Sequence, residues 1–195
     1  MAEEGIAELD RARRKAAERT GIGDRRCWPN NQAIQEALLE YRRLFQGERQ
    51  DAALRRLRTS ALEAMRTFAR FSPRLVGPAL NGTGNGTWGV RLHLFADNPE
   101  DVLLALIDQR IPWQEREESS RFGNGVRRSH PTLSFLAGDT PFELVVLPRD
   151  ALRHPPLDPV SQRPERGANA RDLRRLLDES SAPPALAAPD PSALR

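Results

Sequence analysis

The chain has 195 residues, 38% hydrophobic and 29% charged, with a net charge of +3. That balance supports one domain with its own core plus polar extensions, and it excludes a wholly disordered chain. No apolar run approaches the roughly 20 residues needed to span a bilayer, so a membrane role is not expected. The N-terminus, MAEEGIAELD, lacks the basic-then-apolar layout of a secretory signal, and the single Cys27 cannot form an internal disulfide. A cytoplasmic location is expected. His93, His130 and His154 are dispersed and, with Cys27, show no structural zinc spacing. Lys15 is the only lysine, so the pI of about 9.9 reflects arginine. The planar guanidinium fork suits phosphate, but arginine together with abundant Ala, Leu and Pro is also the product of GC-rich coding. Basicity alone assigns no partner.

In chain order, Ala2 to Arg19 is helix-prone with a thin apolar stripe, and Pro29-Asn30 opens a helix to about Phe45 carrying Ile34, Leu38 and Tyr41. A third helix, from about Gln50 to Ala69, sets Leu54, Leu57, Ala61, Met65 and Phe68 on one side and Arg55, Arg58, Arg66 and Arg70 elsewhere. Ser72-Pro73 stops it, and Arg74 to Leu80 reads as a first strand, with Pro78 at an edge or strand end. The glycines Gly82, Gly84, Gly86 and Gly89 then form a loop whose exposed N–H groups suit an anion. From Trp88 to Ala96 a strand follows, in which Val90, Leu92 and Leu94 alternate with Arg91, His93 and Phe95. Asn98 is the expected cap and Pro99 the first residue of a helix through Val102, Leu103, Leu106 and Ile107. Strands are expected over Ile111 to Phe122, Val126 to Leu136 and Phe142 to Leu147, joined by turns at Gly123-Asn124-Gly125 and Gly138-Asp139-Thr140. Beyond Pro148 lies a proline-rich arm with a turn at Asp158-Pro159-Val160, then a short helix over Ala168 to Asp178 and a tail too poor in apolar surface to order itself.

The result is an α+β fold, a mixed sheet with a glycine-rich loop covered by helices, preceded by N-terminal helices. The divisions fall at 1–48 for those helices, 49–148 for the α+β domain, 149–179 for the arm and short helix, and 180–195 for the tail.

Within this layout, Leu54 to Leu147 resembles nucleotidyltransferases of the DNA polymerase β type. In that family a Gly-Ser pair opens a loop, a Gly-Thr pair follows, and a strand then carries two metal-holding aspartates. Gly77 falls on the Gly, Pro78 on the Ser, Gly82-Thr83 on the later pair, and Trp88-Gly89-Val90-Arg91-Leu92 on the strand motif. Gly89 and Arg91 stand where the aspartates would be. Glu143 matches the family's third carboxylate, and the resemblance implies a nucleotidyltransferase-like fold around it.

Two-metal transfer needs oxygen ligands that Gly89 and Arg91 do not supply, so a catalytically degenerate domain is expected, with no metal and no cofactor. Arg91 is expected to face Glu143 on a neighbouring strand and to pair with it. Gly77, Gly82, Thr83 and Arg91 are the candidate ligand-binding residues, for a nucleotide or another phosphate. Glu143 and His93 are the catalytic candidates. Two other readings stay open. One is an active transferase that holds Mg²⁺ through displaced carboxylates drawn from Glu143, Asp97, Glu115 and Glu117. The other is an arginine-rich module that binds nucleic acid or a protein partner through the helices before Phe71.

Overall fold

The computed structural model describes residues 47–82 and 89–180. The helices expected over Ala2–Arg19 and Pro29–Phe45, Cys27, the loop from Thr83 to Trp88 and the tail from residue 181 lie outside the described residues.

Helix α1 (Gly47–Thr67) forms where Leu57, Ala61 and Met65 recur every fourth residue, and these side chains, with Phe68 just beyond, are buried. Arg55, Arg56 and Arg66 lie on its exposed side. Strand β1 is only Arg74–Val76. The strand expected as far as Leu80 is not formed, because Gly77 turns the chain at φ 71° and Pro78 starts a four-residue helix, α2 (Pro78–Asn81). Arg58 reaches from α1 to close that helix, its Nε donating to the Ala79 carbonyl at 3.1 Å and its Nη2 to that of Leu80 at 3.0 Å.

Strand β2 (Val90–Phe95) leads to helix α3 (Glu100–Asp108). Pro99 occupies the cap position of α3 and no side chain caps it; Asn98 contributes only its carbonyl, which accepts the Asp101 N–H at 3.2 Å. Glu100 and Asp101 instead place negative charge at the helix start. Strand β3 (Gln114–Arg121) begins later than expected, because Ile111 and Trp113 pack against the core ahead of it. The Gly123–Gly125 turn, closed by the Phe122 N–H to the Val126 carbonyl at 2.9 Å, leads into β4 (Arg127–Ala137) and then β5 (Thr140–Leu147). A 3-10 turn (Arg149–Leu152) and helix α4 (Ala170–Glu179) complete the described chain. Asn169 and Asp172 form a reciprocal capping box at the start of α4.

The strands make one mixed sheet in the order β1-β2-β5-β4-β3, antiparallel throughout except for β2 beside β5. The fold is α+β, as expected. Because side chains alternate along a strand, one face carries Leu75, Leu92, Leu94, Leu133, Leu144 and Val146. These join Met65 of α1 and Phe68 just beyond it, Val102 and Leu106 of α3, and Leu173 of α4 in a single core. The other face carries Arg91, His93, Glu143, Thr132, His130, Arg116 and Glu118. The proline-rich arm crosses this polar face. It is tied at the β3 edge, where the Leu157 N–H donates to the Arg121 carbonyl at 2.7 Å, and at the β1 edge, where Leu75 and Ala168 exchange two backbone bonds of 2.8 and 2.9 Å. No helix among the described residues is long and apolar enough to cross a membrane.

Two positions fix this arrangement. Gly89 has φ 69°, and a Cβ there would lie 2.3 Å from the Pro141 carbonyl oxygen, so only glycine fits beside β5. Leu173 is fully buried, which makes α4 part of the core. Gly89→Ala is expected to lower unfolding stability by about 2–4 kcal/mol through backbone strain and overlap. Leu173→Ala is expected to cost about 2–5 kcal/mol through the cavity it leaves. Urea unfolding of both variants measures this, and a wild-type midpoint for either would refute its role in packing.

Candidate functional site

The polar sheet face derives its chemistry from register. Arg91 on β2 lies directly across from Glu143 on β5, and Glu143 in turn from Ser134 on β4. The Arg91 Nη1 donates to Glu143 Oε2 at 3.0 Å, so the expected ion pair is present. The second amino group, Nη2, donates to Glu118 Oε1 on β3. Arg116 closes the network from the far side, 2.8 Å from Glu143 Oε1 and 3.4 Å from Glu118 Oε2. Two guanidinium groups and two carboxylates thus alternate across three strands. Burial works against the Arg91 charge, but Glu118, Glu143 and Glu165 outweigh it and hold its pKa above the ordinary value.

Glu165 enters from the arm. The Gly77 N–H donates to its carboxylate, and its Oε2 lies 3.8 Å from His93 Nε2. Burial, reinforced by the negative charge of Asp158, raises its pKa to about 7 against the opposing pull of Arg91 and the Gly77 N–H. His93 is only 2% exposed. Burial, followed by the positive charge of Arg91 and the influence of His130, pushes its pKa down to about 3, so the ring is neutral at physiological pH. Burial, then Arg128, lowers the His130 pKa as well. His93 Nδ1, His130 Nε2 and the Thr132 hydroxyl are buried and have no hydrogen-bond partner in the structure.

The structure therefore brings together three of the residues singled out from sequence and separates the others. Arg91 and Glu143 pair, and Gly77 joins them through Glu165. Gly82 lies at the far end of α2, with φ 76°, and Thr83 is outside the described residues. His93 shares the Arg91 face as expected, but it is sealed beneath the arm and remains neutral, which does not suit an acid–base group that must meet solvent or substrate. Glu115 and Glu117 point to the opposite side of β3 from Glu118, where Glu117 accepts the Ser129 Oγ hydrogen bond at 2.5 Å. Asp97 is six residues beyond Arg91, about 20 Å along the strand direction, and accepts the Arg149 N–H at 3.2 Å. A cleft of about 250 Å³ lies at that end of the sheet, lined by Arg70, Phe71, Ala96, Asp101 and Arg149.

Glu118, Arg116 and Glu165 are the site residues that the sequence reading missed. The segment Glu115-Arg116-Glu117-Glu118 has no apolar alternation to reveal its phase, and Glu165 reaches the site only through the path of the arm. The one available clue was Gly167, two residues further on, where a Cβ would lie 2.7 Å from the Leu75 carbonyl oxygen.

A divalent metal does not fit this donor set. Glu143 and Glu118 already accept from two guanidinium groups, and a cation placed between them would face Arg91 directly. Among the described residues no group of three or more His, Cys, Asp or Glu side chains is placed to hold a metal. No family model, curated protein or solved structure matches the chain.

The opposed shifts of Glu165 and His93 predict a measurable pH signature. Between about pH 4.5 and 7 folded Glu165 retains a proton that the unfolded chain has lost, so its contribution to stability falls as pH rises. Between about pH 3 and 6.5 unfolded His93 binds a proton that the folded chain does not, so its contribution rises with pH. In the shared window from about 4.5 to 6.5 the two cancel. Relative to wild type, Glu165→Gln should therefore gain stability as pH increases through this window, and His93→Gln should lose it, each by up to about 1.4 kcal/mol per pH unit. Urea midpoints at several pH values provide the test, and parallel profiles for all three proteins would count against it.

Proposed function

We propose that this chain is a nucleotidyltransferase-like domain that is catalytically degenerate and acts as a non-enzymatic binding module. The observation that carries the proposal is the Arg91–Glu143 pair, in register on adjacent parallel strands and closed on its other side by Glu118. In the nucleotidyltransferase alignment this is where a motif-strand aspartate would stand opposite the third carboxylate. A guanidinium occupies the place of the cations, and its charge satisfies the remaining acids.

Gly89 supports the same reading. It takes the place of the other motif aspartate, yet its positive φ and its approach to Pro141 leave no room for any side chain. The loss of the carboxylate is therefore accompanied by closure of the backbone around the position. Both Arg91 amino groups already bond carboxylates, so a phosphate at this residue would meet the negative charge of Glu118 and Glu143. The arm adds a further barrier, because Glu165 already takes the Gly77 N–H.

Calorimetric titration with ATP, GTP, CTP and UTP, each with and without Mg²⁺, tests the proposal. No Mg²⁺-dependent binding and no turnover are expected. Arg91→Ala should cost about 2–4 kcal/mol of stability, because two partly buried carboxylates then share Arg116 as their one remaining guanidinium partner. Metal-dependent turnover of any nucleotide would defeat the proposal.

A further inference from the structure

The β3–β4 hairpin carries a second polar feature on the side of the sheet opposite Arg91. Alternation places Ser119, Arg121, Arg127 and Ser129 together there, and all four are exposed. Register sets Arg121 directly across from Arg127, and Ser119 directly across from Ser129. Like charges facing each other across antiparallel strands destabilise the pairing. Neither guanidinium has an ion pair among the described residues, so nothing there offsets that repulsion. β4 pairs with β5 only from Thr132 onward, and beyond that point the hairpin is edged on its β3 side by the arm, which bridges Phe122 through Pro156 and takes the Arg121 carbonyl through the Leu157 N–H. The hairpin tip is open: a Cβ at Gly123 or Gly125 would meet nothing within 4 Å. Arg128, next to Arg127 but on the opposite, Arg91-bearing face, stacks over the Phe122 ring and lies 3.5 Å from Asp150.

We propose that this hairpin face is a contact surface for the phosphodiester backbone of a nucleic acid duplex. The planar forks of Arg121 and Arg127 match phosphate oxygens, and the Ser119 hydroxyl beside them is another side-chain group that commonly contacts phosphate, whereas the Ser129 hydroxyl is given to Glu117 at 2.5 Å. Bound phosphate would neutralise the opposed charges that the free protein leaves facing each other. An acidic protein or a membrane fits less well. The large apolar side chains exposed on the hairpin are Val126 beside the turn and Leu136 at the far end of β4, too far apart to provide a buried anchor cluster or an insertion surface. The patch ends at Glu117 and Glu115 on the same face, which limits the contact to a few phosphates. This inference does not depend on the nucleotidyltransferase reading.

The test is fluorescence anisotropy of the full chain with labelled, mixed-sequence DNA and RNA duplexes of about 20 base pairs, between about 50 and 200 mM KCl. Binding to at least one duplex is expected, and the two arms separate DNA from RNA as the source of the backbone. Arg121→Ala/Arg127→Ala should reduce the steepness of log K against log salt by about 2, and weaken binding at least about tenfold at the lowest salt. The same double variant should melt at or above the wild-type Tm, because it relieves a like-charge pair; this separates lost contact from lost fold. A control, Arg171→Ala/Arg174→Ala, removes equal charge from α4 and should leave the salt slope unchanged. Glu117→Gln should strengthen binding. The proposal is overturned by an unchanged slope in the hairpin variant, by an equal loss in the α4 control, by a lowered Tm that accounts for the lost binding, or by no association with either duplex up to about 100 µM protein. It is also overturned if the chain binds phosphatidylserine vesicles through these arginines and neither duplex.

Discussion

The guanidinium of Arg91 spans the polar face of the sheet, with one amino group committed to Glu143 on adjacent β5 and the other to Glu118 on the edge strand β3. A lone charge in such a half-buried position would be costly, and so would either acid without it. Arg116 completes the balance, and its two contacts hold Glu118 and Glu143 in the geometry that Arg91 requires. The rest of the polar face follows from this arrangement. With both carboxylates ion-paired from within the sheet, although Glu118 Oε2 is left without a hydrogen bond, the face can be covered by the arm, and Glu165, close to protonation at neutral pH, can be buried with it.

The two faces of the sheet solve opposite problems. On the helix side, leucine and valine alternation joins α1, α3 and α4 into one apolar core, and burial of that surface carries the stability. On the arm side, a smaller apolar group formed by Phe95, Phe122, Val145, Leu147 and Ala151 supports the turn end of the hairpin through Phe122, while histidine, threonine and charged side chains fill the remainder. His93, His130 and Thr132 keep polar atoms unpartnered there, at a cost of about 1–3 kcal/mol each if they remain dry. The arm-covered side is therefore the less stabilising half of the molecule.

The legible parts of the sequence were those with a strong local pattern. The β2 alternation placed Arg91 and His93 on a common face, the Phe142–Leu147 run placed Glu143 on the adjacent strand, and the glycine turn at Gly123–Gly125 fixed the hairpin. The Arg91–Glu143 pair itself was anticipated from the nucleotidyltransferase resemblance, which implies that these two strands lie side by side. The missed parts lacked any such pattern. Pro78 was read as the end of a strand, although after Gly77 it starts a helix, because one proline serves either purpose equally well. β3 is polar at nearly every position, so its phase is set by its partners on β4 and not by its own residues, and it is Glu118, not the Glu115 or Glu117 on which the active-transferase reading draws, that meets Arg91. Glu165 depends on a path through five prolines and a glycine, which is determined by tertiary docking.

The route of the arm also bears on how the molecule avoids self-association. Both outer strands of an open sheet expose backbone groups that can recruit another chain. β1 is three residues long and has both Leu75 backbone groups taken by Ala168, while the outer side of β3 gives its Arg121 carbonyl to Leu157. The same segment that buries the ion-pair network thus blunts the two margins of the sheet. A chain cut after Pro148 would lose Leu173 from the core and uncover both margins at once, converting a folding defect into an aggregation hazard.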